Sequence, residues 1–380
     1  MTKIRDDRCP LCAMIGSVQI ALDLSSKPPF SDSIVFRWCA DCDLIYAECL
    51  DAALYRQYYE TTQHDSGHVD DTGLPGSLHN IQARLVGEHL GRDFHGNCLD
   101  FGCGAGQLSE LLMRSLPKSH FYGVDLRNSL RPSSPVEFLS DFASNGIRFD
   151  LIILSHVAEH MVDLSDISSL TKRLVPGGSI YVEVPDPLTY GDHPRREFMY
   201  YFDRLHVNHF SQTALTRLLA GCNLKVTRRG SHKFRYRDGD YPAQFVFASE
   251  KNATEAPIKS VSTLAQAFDV YHQSELARAK ELRESIITAA AGRDLLVYGH
   301  GDNFFRARSQ GGPLYQMPIK CVLDRNAGNL QPSGQFETLP PAAGLRKYPD
   351  AVVLVAISGG AADVVAALRR ESPGRTIIMV

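Results

Sequence analysis

Short apolar runs alternate with helix-forming stretches from Cys98 onward, and this alternation sets the fold class of the 380-residue chain. Each run has the length of a strand and ends in residues typical of turns. Strands that alternate with helices are typical of a parallel sheet covered by helices. We therefore predict an α/β fold. The runs that carry this prediction are Asn97–Asp100, Phe121–Asp125, Asp150–Leu154 and Ser179–Val184.

The pattern changes at the end of this region. Two apolar runs, Leu224–Val226 and Gln244–Ala248, flank a basic stretch from Arg228 to Arg237. Two strands joined by a polar segment are typical of a hairpin, and here we predict an antiparallel pair that closes the sheet, with the basic stretch as its turn.

The C-terminal part of the chain has its own alternation. One long amphipathic helix is predicted from Leu264 to about Ala291, with a charged outer face that suits a spacer between domains. Further apolar runs between Asp294 and Val380 predict a second, smaller α/β domain. Its first strand is followed by Gly299-His300-Gly301, but Phe304 stands where a dinucleotide site has its third glycine, so dinucleotide binding is only weakly supported.

Charge and hydropathy exclude some partners. The chain has 40 Lys and Arg against 43 Asp and Glu, a net charge of −3, so no general attraction to nucleic acid or an anionic membrane is expected. The longest apolar stretch, Ala351–Leu368, is broken by Ser358-Gly359-Gly360 and Asp363, which predicts no membrane span. No targeting pattern is visible near Met1, so a cytoplasmic location is expected.

Four of the nine cysteines form two close pairs, in Cys9-Pro10-Leu11-Cys12 and Cys39-Ala40-Asp41-Cys42. An odd cysteine count without an export signal makes a disulfide framework the weaker explanation. Two Cys-x-x-Cys turns can give one ion the four thiolates of a closed structural zinc site. We therefore predict a zinc-binding ribbon; redox motifs or buried cysteines are the alternative.

A glycine-rich loop follows the first strand of the predicted sheet. It reads Leu99-Asp100-Phe101-Gly102-Cys103-Gly104-Ala105-Gly106 and opens a helical pattern. Gln107 occupies the position where a dinucleotide fingerprint needs glycine, so the spacing argues against NAD. The alternative is a structural glycine turn in an unrelated α/β domain.

An acidic residue followed by Gly-x-Gly-x-Gly resembles motif I of the class I S-adenosylmethionine-dependent methyltransferases. Asp125 ends the next strand, where a carboxylate can bind both ribose hydroxyls. The resemblance implies an adenine site at Asp141 and Phe142, with the carboxylate on the exocyclic amine. The predicted cofactor-binding residues are Asp100, Gly102, Gly104, Gly106, Asp125, Asp141, Phe142 and Ser155.

Candidate chemical groups follow the fourth and fifth strands, in the segments Ser155–His160 and His206–Ser211. Carboxyl ends of parallel strands meet at one edge of a sheet, so both segments are expected to face the cofactor. Histidine titrates near neutral pH and can take a proton from the acceptor. We predict His206 as the base, with His160 and Glu159 in reserve. The simpler alternatives are a satisfied polar histidine, an N-cap role for Ser211 and a helix first-turn role for Glu159.

The order of cysteine ribbon, methyltransferase domain, long helix and small α/β domain resembles the bacterial sugar C-methyltransferases. The resemblance implies domains at residues 1–60 (zinc ribbon), 61–255 (methyltransferase), 256–291 (linker helix) and 292–380 (Rossmann-like α/β domain). Such enzymes methylate carbon in nucleotide-linked keto-deoxysugars, so a small-molecule acceptor of this type is implied. His206 matches the proposed base of this family, and Phe210-Ser211 matches the residues that follow it. The chain departs from the family at Leu205, where glutamate is usual, and at Asp203, where tyrosine is usual.

Acceptor binding is expected on the ribbon side of the site. Three tyrosines and His156 are the predicted substrate-binding residues, and the polar loop from Gln63 to His79 is predicted to close over the acceptor. An O- or N-methyltransferase on another metabolite or glycan, or a catalytically inactive binding module, remains an alternative. The tyrosines are Tyr55, Tyr58 and Tyr59.

Overall fold

A computed structural model describes most of the chain, in two compact units. The first unit comprises residues 1–19, 36–193 and 205–268, and the second comprises 20–35, 194–204 and 269–380. The described residues are 4–22, 30, 33–61, 76–126, 134–140, 142, 144–236, 239–250, 263–329, 336–357 and 360–380.

The strands in chain order are β1 (Ile4–Arg5), β2 (Ser17–Leu22), β3 (Ile34–Cys39), β4 (Leu44–Ala47), β5 (Leu50–Asp51), β6 (Asn97–Phe101), β7 (His120–Val124), β8 (Glu137–Phe138), β9 (Phe149–Ser155), β10 (Leu174–Pro185), β11 (Asn208–Phe210), β12 (Leu224–Tyr236), β13 (Gly239–Glu250), β14 (Leu295–Tyr298), β15 (Ile319–Leu323), β16 (Glu337–Leu339), β17 (Val352–Val355) and β18 (Ile377–Met379). The helices are α1 (Ala52–Thr61), α2 (Leu78–Leu90), α3 (Gln107–Ser115), α4 (Ser165–Thr171), α5 (Gln212–Gly221), α6 (Leu264–Ala290), α7 (Asp302–Arg308), α8 (Pro341–Lys347) and α9 (Ala361–Glu371).

A seven-stranded sheet forms the centre of the first unit, in the order β12-β13-β10-β9-β6-β7-β8. The five strands from β10 to β8 in this order pair in parallel, as predicted from the apolar runs. The chain moves outward from β6 through β7 to β8 and then returns to β9 on the other side of β6. Strand order therefore reverses beside β6, and ligands of such sheets bind at the carboxyl ends of the strands next to this point.

Side chains alternate between the two faces of this sheet, because successive residues of a strand point to opposite sides. Leu99 and Ile152 pack on the face covered by α4 and α5. Cys98 and Leu151, their neighbours in sequence, pack on the face covered by α2 and α3. The strands are buried on both sides, which explains why they read as continuous apolar runs.

The predicted antiparallel hairpin is confirmed, but its basic stretch is not a turn. Residues 228–236 continue β12 and pair with β13, from Arg228 opposite Phe247 to Tyr236 opposite Gly239. Arg228 lies over the rings of Phe245 and Phe247, and long basic side chains can cover apolar surface in this way while their charge stays near water. The basic stretch therefore belongs to a strand, and its first arginine covers two aromatic rings of the neighbouring strand.

The cysteine-containing segment of the first unit is β-rich, as predicted. β4 pairs antiparallel with β3 and with β11, and β1 pairs antiparallel with β5. Cys9 and Cys12 lie in one turn, and Cys39 and Cys42 lie at the β3–β4 turn.

The second unit contains a five-stranded parallel sheet in the order β16-β15-β14-β17-β18, which confirms the predicted second α/β fold. One face packs against α7 and the C-terminal part of α6, and the other packs against α8 and α9. Phe304 is fully buried in this core, so the residue that replaces the third glycine has a packing role.

The long helix predicted from Leu264 is present as α6 and ends at Ala290. No helix in the described part of the chain is long and apolar enough to cross a membrane. The four domain boundaries given above stay predictions.

Candidate functional site

The glycine loop is tied to the end of the neighbouring strand β7. The N–H groups of Gly102 and Cys103 donate to the Val124 carbonyl, at 2.7 and 3.1 Å. The Gly104 N–H donates to Oδ2 of Asp125 at 2.9 Å. The carboxylate predicted to bind ribose therefore lies directly beside the loop predicted to hold the rest of the cofactor.

Two positions of this loop require glycine for different physical reasons. Gly102 has φ of 83°, and a Cβ there would lie 2.4 Å from Cγ2 of Val157, so both backbone conformation and close packing exclude a side chain. Gly104 has no described atom within 4 Å of a Cβ built on it. The space at Gly104 suits the close approach of a ligand to the backbone.

Asp100 lies behind the loop and is only 2% exposed. Its Oδ2 accepts a hydrogen bond from the Ser109 hydroxyl at 2.7 Å, which joins the end of β6 to α3. Burial and the nearby charge of Asp125 raise the pKa of Asp100 to about 6, although the Ser109 hydrogen bond opposes this. In the structure Asp100 holds the loop against α3; its predicted contact with the cofactor stays a prediction.

We expect Asp100 to make stability depend on pH between about 4 and 6. Because its pKa is higher in the folded chain, the folded state binds the proton more tightly, and this stabilisation is lost as the pH rises through about 6. The Asp100→Asn variant should lack this contribution, on the order of 3 kcal/mol. Urea unfolding of both proteins at several pH values measures the difference, and an equal pH dependence in the two would contradict the assignment.

The other predicted cofactor residues lie near the same edge. The Phe142 ring packs edge-on against Phe101 of β6 and lies under the Arg173 guanidinium. Ser155 ends β9, and its hydroxyl accepts from Nε2 of Gln82 at 2.7 Å. Asp141 lies outside the described residues.

Glu159, His160 and His206 come together at the carboxyl ends of β9 and β10. Ligand atoms of the three side chains all lie within 4.8 Å of one another, and the two imidazole centroids are 4.9 Å apart. Glu159 is 1% exposed. The structure thus groups the three residues predicted from two separate segments, which we call the His–Glu cluster.

Buried polar side chains hold the two loops of this cluster together. The Arg5 guanidinium donates to the carbonyls of Met161, Val162 and Val207, at 2.6 to 3.3 Å. Asn208 Nδ2 donates to the carbonyls of Ala158 and Met161, at 3.0 and 2.8 Å. The backbone around the cluster is therefore fixed by contacts between distant parts of the chain.

A charged network that the sequence did not reveal lies behind Glu159. His156 contacts Oε1 of Glu159 through Nδ1 at 3.0 Å and Oε1 of Glu183 through Nε2 at 3.3 Å. Glu183 is fully buried in β10 and also accepts from His232 at 2.9 Å, from Gln82 at 2.6 Å and from the Tyr181 hydroxyl. The only sequence signal was a glutamate inside an apolar strand.

Contacts between histidines and carboxylates shift the pKa values of His156 and Glu183 in this network. Burial alone would lower the pKa of His156, but the hydrogen bonds to the two carboxylates outweigh it and raise that pKa to about 10. Burial would raise the pKa of Glu183, and the two histidines instead hold it well below its usual range. His156 has φ of 52°, a strained conformation for a residue other than glycine. It lies behind Glu159, and its predicted contact with substrate stays a prediction.

One predicted tyrosine lies beside the His–Glu cluster. The ring of Tyr59 packs edge-on against His160, with centroids 5.9 Å apart, and Tyr58 packs against Tyr59. Tyr55 is buried, with 4% of its surface exposed. Most of the predicted closing loop, residues 63–75, lies outside the described part of the chain.

Two residues of the segment after His206 have packing roles. His209 is buried between Phe36 and Tyr190, and its Nδ1 contacts the Tyr190 hydroxyl at 3.1 Å. Ser211 caps α5 by accepting from the Ala214 N–H at 3.1 Å, which confirms the simpler alternative for this residue.

The two cysteine pairs meet in one cluster. The sulfur atoms of Cys9, Cys12, Cys39 and Cys42 lie within 4.8 Å of one another, and none of the four forms a disulfide. The Arg217 guanidinium donates to the Cys42 sulfur at 3.3 Å. Four adjacent thiols, with a cation nearby to balance negative charge, are compatible with a closed tetrahedral zinc site.

Comparisons with known proteins concern the middle of the chain. Residues 78–229 match the family model of a methyltransferase domain. A search of curated proteins finds no match. Similar solved structures include a SAM-dependent methyltransferase from Methanosarcina mazei, at 17% identity and a TM-score of 0.35, covering 44% of this chain and 96% of that chain.

Two further similar structures belong to methyltransferases of named small molecules. One is 1,6-didemethyltoxoflavin-N1-methyltransferase from Burkholderia thailandensis, at 14% identity and a TM-score of 0.40, covering 62% of this chain and 100% of that chain. The other is magnesium protoporphyrin IX methyltransferase from Synechocystis PCC 6803, at 16% identity and a TM-score of 0.40, covering 53% of this chain and 100% of that chain. The match to the methyltransferase-domain model is confined to residues 78–229, which include the glycine loop and the parallel strands β6 to β10.

Proposed function

We propose that the chain transfers a methyl group from S-adenosylmethionine to a small molecule, and that this molecule is a sugar or a nucleotide-linked sugar. The observation that carries the proposed cofactor is the junction of Gly104 and Asp125 at the edge where strand order reverses. A carboxylate at the end of the second strand suits ribose hydroxyls, and the family match covers this whole region.

The cofactor site is proposed from the same residues. Asp125 would bind the ribose, the loop Gly102–Gly106 would lie beneath the methionine portion, and Phe142 with Asp141 would hold the adenine. Ser155 at the end of β9 would lie beside them. When bound, S-adenosylmethionine supplies an activated methyl group on a sulfonium ion, so the chain itself must align the acceptor and manage its proton.

Proton removal is proposed for the His–Glu cluster. For an acceptor carbon next to a ketone, His206 is the proposed base and His160 the reserve. Position 205 lacks the glutamate of the sugar C-methyltransferases, but Glu159 lies beside His206 and provides a carboxylate from the neighbouring loop. Burial would raise the pKa of Glu159, but hydrogen bonding to His156 and the charges of His160 and His206 outweigh it and lower that pKa, so the carboxylate stays ionised beside the proposed base.

A second acceptor class, a hydroxyl group, is favoured by the composition of the same cluster. Two imidazoles and one carboxylate can deprotonate an alcohol, which is a stronger acid than the carbon next to an aldehyde or ketone. O-methylation therefore demands less of the site than C-methylation, and it is the runner-up.

The cysteine cluster is proposed to hold one structural zinc ion. All four ligands would be thiolates, which leaves no open position for a substrate. The ion would stabilise the segment that carries Arg5, and Arg5 in turn contacts the loops of the His–Glu cluster.

We expect Asp125→Ala to weaken binding of S-adenosylhomocysteine by about 30-fold to 1000-fold, because it removes charge-assisted hydrogen bonds to the ribose. Isothermal titration calorimetry measures the affinity. Asp93→Ala is the matched control, since Asp93 is exposed and its side chain contacts Lys118. Undiminished affinity in Asp125→Ala, or no binding to the wild-type protein, would reject the proposed cofactor site.

A further inference from the structure

We propose that Glu159, His160 and His206 bind one divalent transition-metal cation, such as Mn²⁺ or Zn²⁺, separate from the cysteine cluster. The inference rests on the proposed methyl transfer, because it concerns how the acceptor of that reaction is activated. The cysteine cluster is built from thiols, whereas this cluster offers one carboxylate and two imidazoles. Those donors suit a cation with open positions for substrate.

The three side chains are close enough to share an ion. Their ligand atoms lie within 4.8 Å of one another. Metal–ligand bonds of about 2.0 to 2.2 Å place neighbouring ligand atoms about 3 to 4 Å apart. Small side-chain rotations would close the remaining distance.

One ring nitrogen of His160, Nδ1, is hydrogen-bonded to the backbone, which leaves Nε2 to face the proposed ion. Its Nδ1 lies 2.8 Å from the Leu205 carbonyl, and a carbonyl can only accept, so Nδ1 carries the proton. In the neutral ring Nε2 then has a lone pair to give, and it lies 4.0 Å from Oε1 of Glu159. Metal-binding histidines are typically oriented by a hydrogen bond of this kind.

Glu159 is held in the same manner from behind. Its Oε1 contacts His156, which in turn contacts the buried Glu183. Its Oε2 is buried and has no hydrogen-bond partner among the described residues. A buried carboxylate oxygen without a partner is costly, and a cation would satisfy it.

The backbone that carries these ligands is also fixed. Arg5 and Asn208 bind carbonyls on both sides of the cluster, in the loop after β9 and in the segment after His206. Ligands from two loops therefore start in a nearly correct arrangement, which reduces the entropy lost when an ion binds.

A cation here would leave coordination positions open, because the protein supplies three ligands. We assign the open positions to an oxygen of the acceptor, a hydroxyl or the carbonyl of a keto group. A cation lowers the pKa of a bound hydroxyl and stabilises an enolate oxygen. In the metal-loaded protein His206 would be a ligand and not the base. The base role proposed above therefore applies to the metal-free protein, and the experiment below distinguishes these two roles of His206.

The test is Mn²⁺ binding to the full chain with its zinc retained. Mn²⁺ prefers carboxylate and imidazole over a thiolate cluster, so it reports on the His–Glu cluster. Electron paramagnetic resonance of free Mn²⁺ should show about one bound ion per chain, and Glu159→Gln and His160→Asn should weaken binding at least tenfold. His95→Asn, which removes an exposed histidine elsewhere, should bind as the wild type does.

Two results would overturn the metal site: no Mn²⁺ bound by the wild-type chain, or equal binding by Glu159→Gln. Titration with S-adenosylhomocysteine in the same samples checks that each variant is folded, since the proposed cofactor residues are unchanged. Failure of the wild type to bind S-adenosylhomocysteine would instead contradict the proposed function. The Mn²⁺ measurement would still test the metal site by itself. Activity that survives chelation of Mn²⁺ and Zn²⁺ would leave His206 as the base and overturn the role of the cation in acceptor activation.

Discussion

We expect His206→Asn to lower turnover by about a hundredfold or more while S-adenosylhomocysteine binds with nearly unchanged affinity. The imidazole lies in the His–Glu cluster, beside Glu159 and His160, whereas the proposed ribose contact is at Asp125, after β7. General-base catalysis typically contributes this much to the rate, and its loss affects kcat. Single-turnover kinetics with a candidate acceptor measures the first quantity and calorimetry the second.

His160→Asn is the informative comparison, because its ring packs against that of His206. Full turnover in His206→Asn together with loss in His160→Asn would exchange the two roles. Unimpaired turnover in both would mean that alignment and exclusion of water alone drive the transfer, and an acceptor that needs no base would then be the better assignment. His95→Asn serves as the control for an exposed histidine.

We expect Cys39→Ser, or removal of metal with a chelator, to unfold the cysteine-containing segment. Binding of structural zinc contributes on the order of 10 kcal/mol to the folding of small domains, and Cys39 is 2% exposed within the four-thiol cluster. Elemental analysis should find about one zinc ion bound by this cluster in the wild type and a loss of it in the variant. Hydrogen exchange of β3 and β4 measures the unfolding.

Cys49→Ser is the matched control, because Cys49 is an exposed cysteine close in sequence but outside the cluster. We expect that variant to keep both its zinc and its protection from exchange. A folded wild-type segment without bound zinc would contradict the structural role of the ion.

The sheet of the first unit could be predicted because its strands are buried on both faces, and such strands appear as continuous apolar runs. The position of the hairpin turn could not be predicted, because residues 228–236 have the basic composition of a turn but continue strand β12. An apolar pattern in the sequence indicates side chains that are buried as a whole. It does not indicate an arginine such as Arg228, whose side chain covers an aromatic ring while its charge stays near water.

The sequence predicts only part of the site for a similar reason. The proximity of His160 and His206 was predictable because both follow strands of one sheet, and the carboxyl ends of parallel strands meet. Glu183, His232 and Arg5 were not, because each acts through partners far away in sequence. Glu159 shows the difference most clearly: it is far from His206 in the chain, yet the structure places its carboxylate within 4.8 Å of that imidazole.

With zinc bound as proposed, Arg5 would make the chemistry of the His–Glu cluster depend on the oxidation state of the four clustered cysteines. Its guanidinium binds carbonyls of the loop after β9 and of Val207, and the carbonyl of Ala47, the last residue of β4, is a further acceptor. Arg5 precedes Cys9 by four positions, so an oxidant that releases zinc would also withdraw this contact. Methyl transfer would then fail under oxidative stress although no residue of the His–Glu cluster had been modified, and reducing agents with added zinc would restore it.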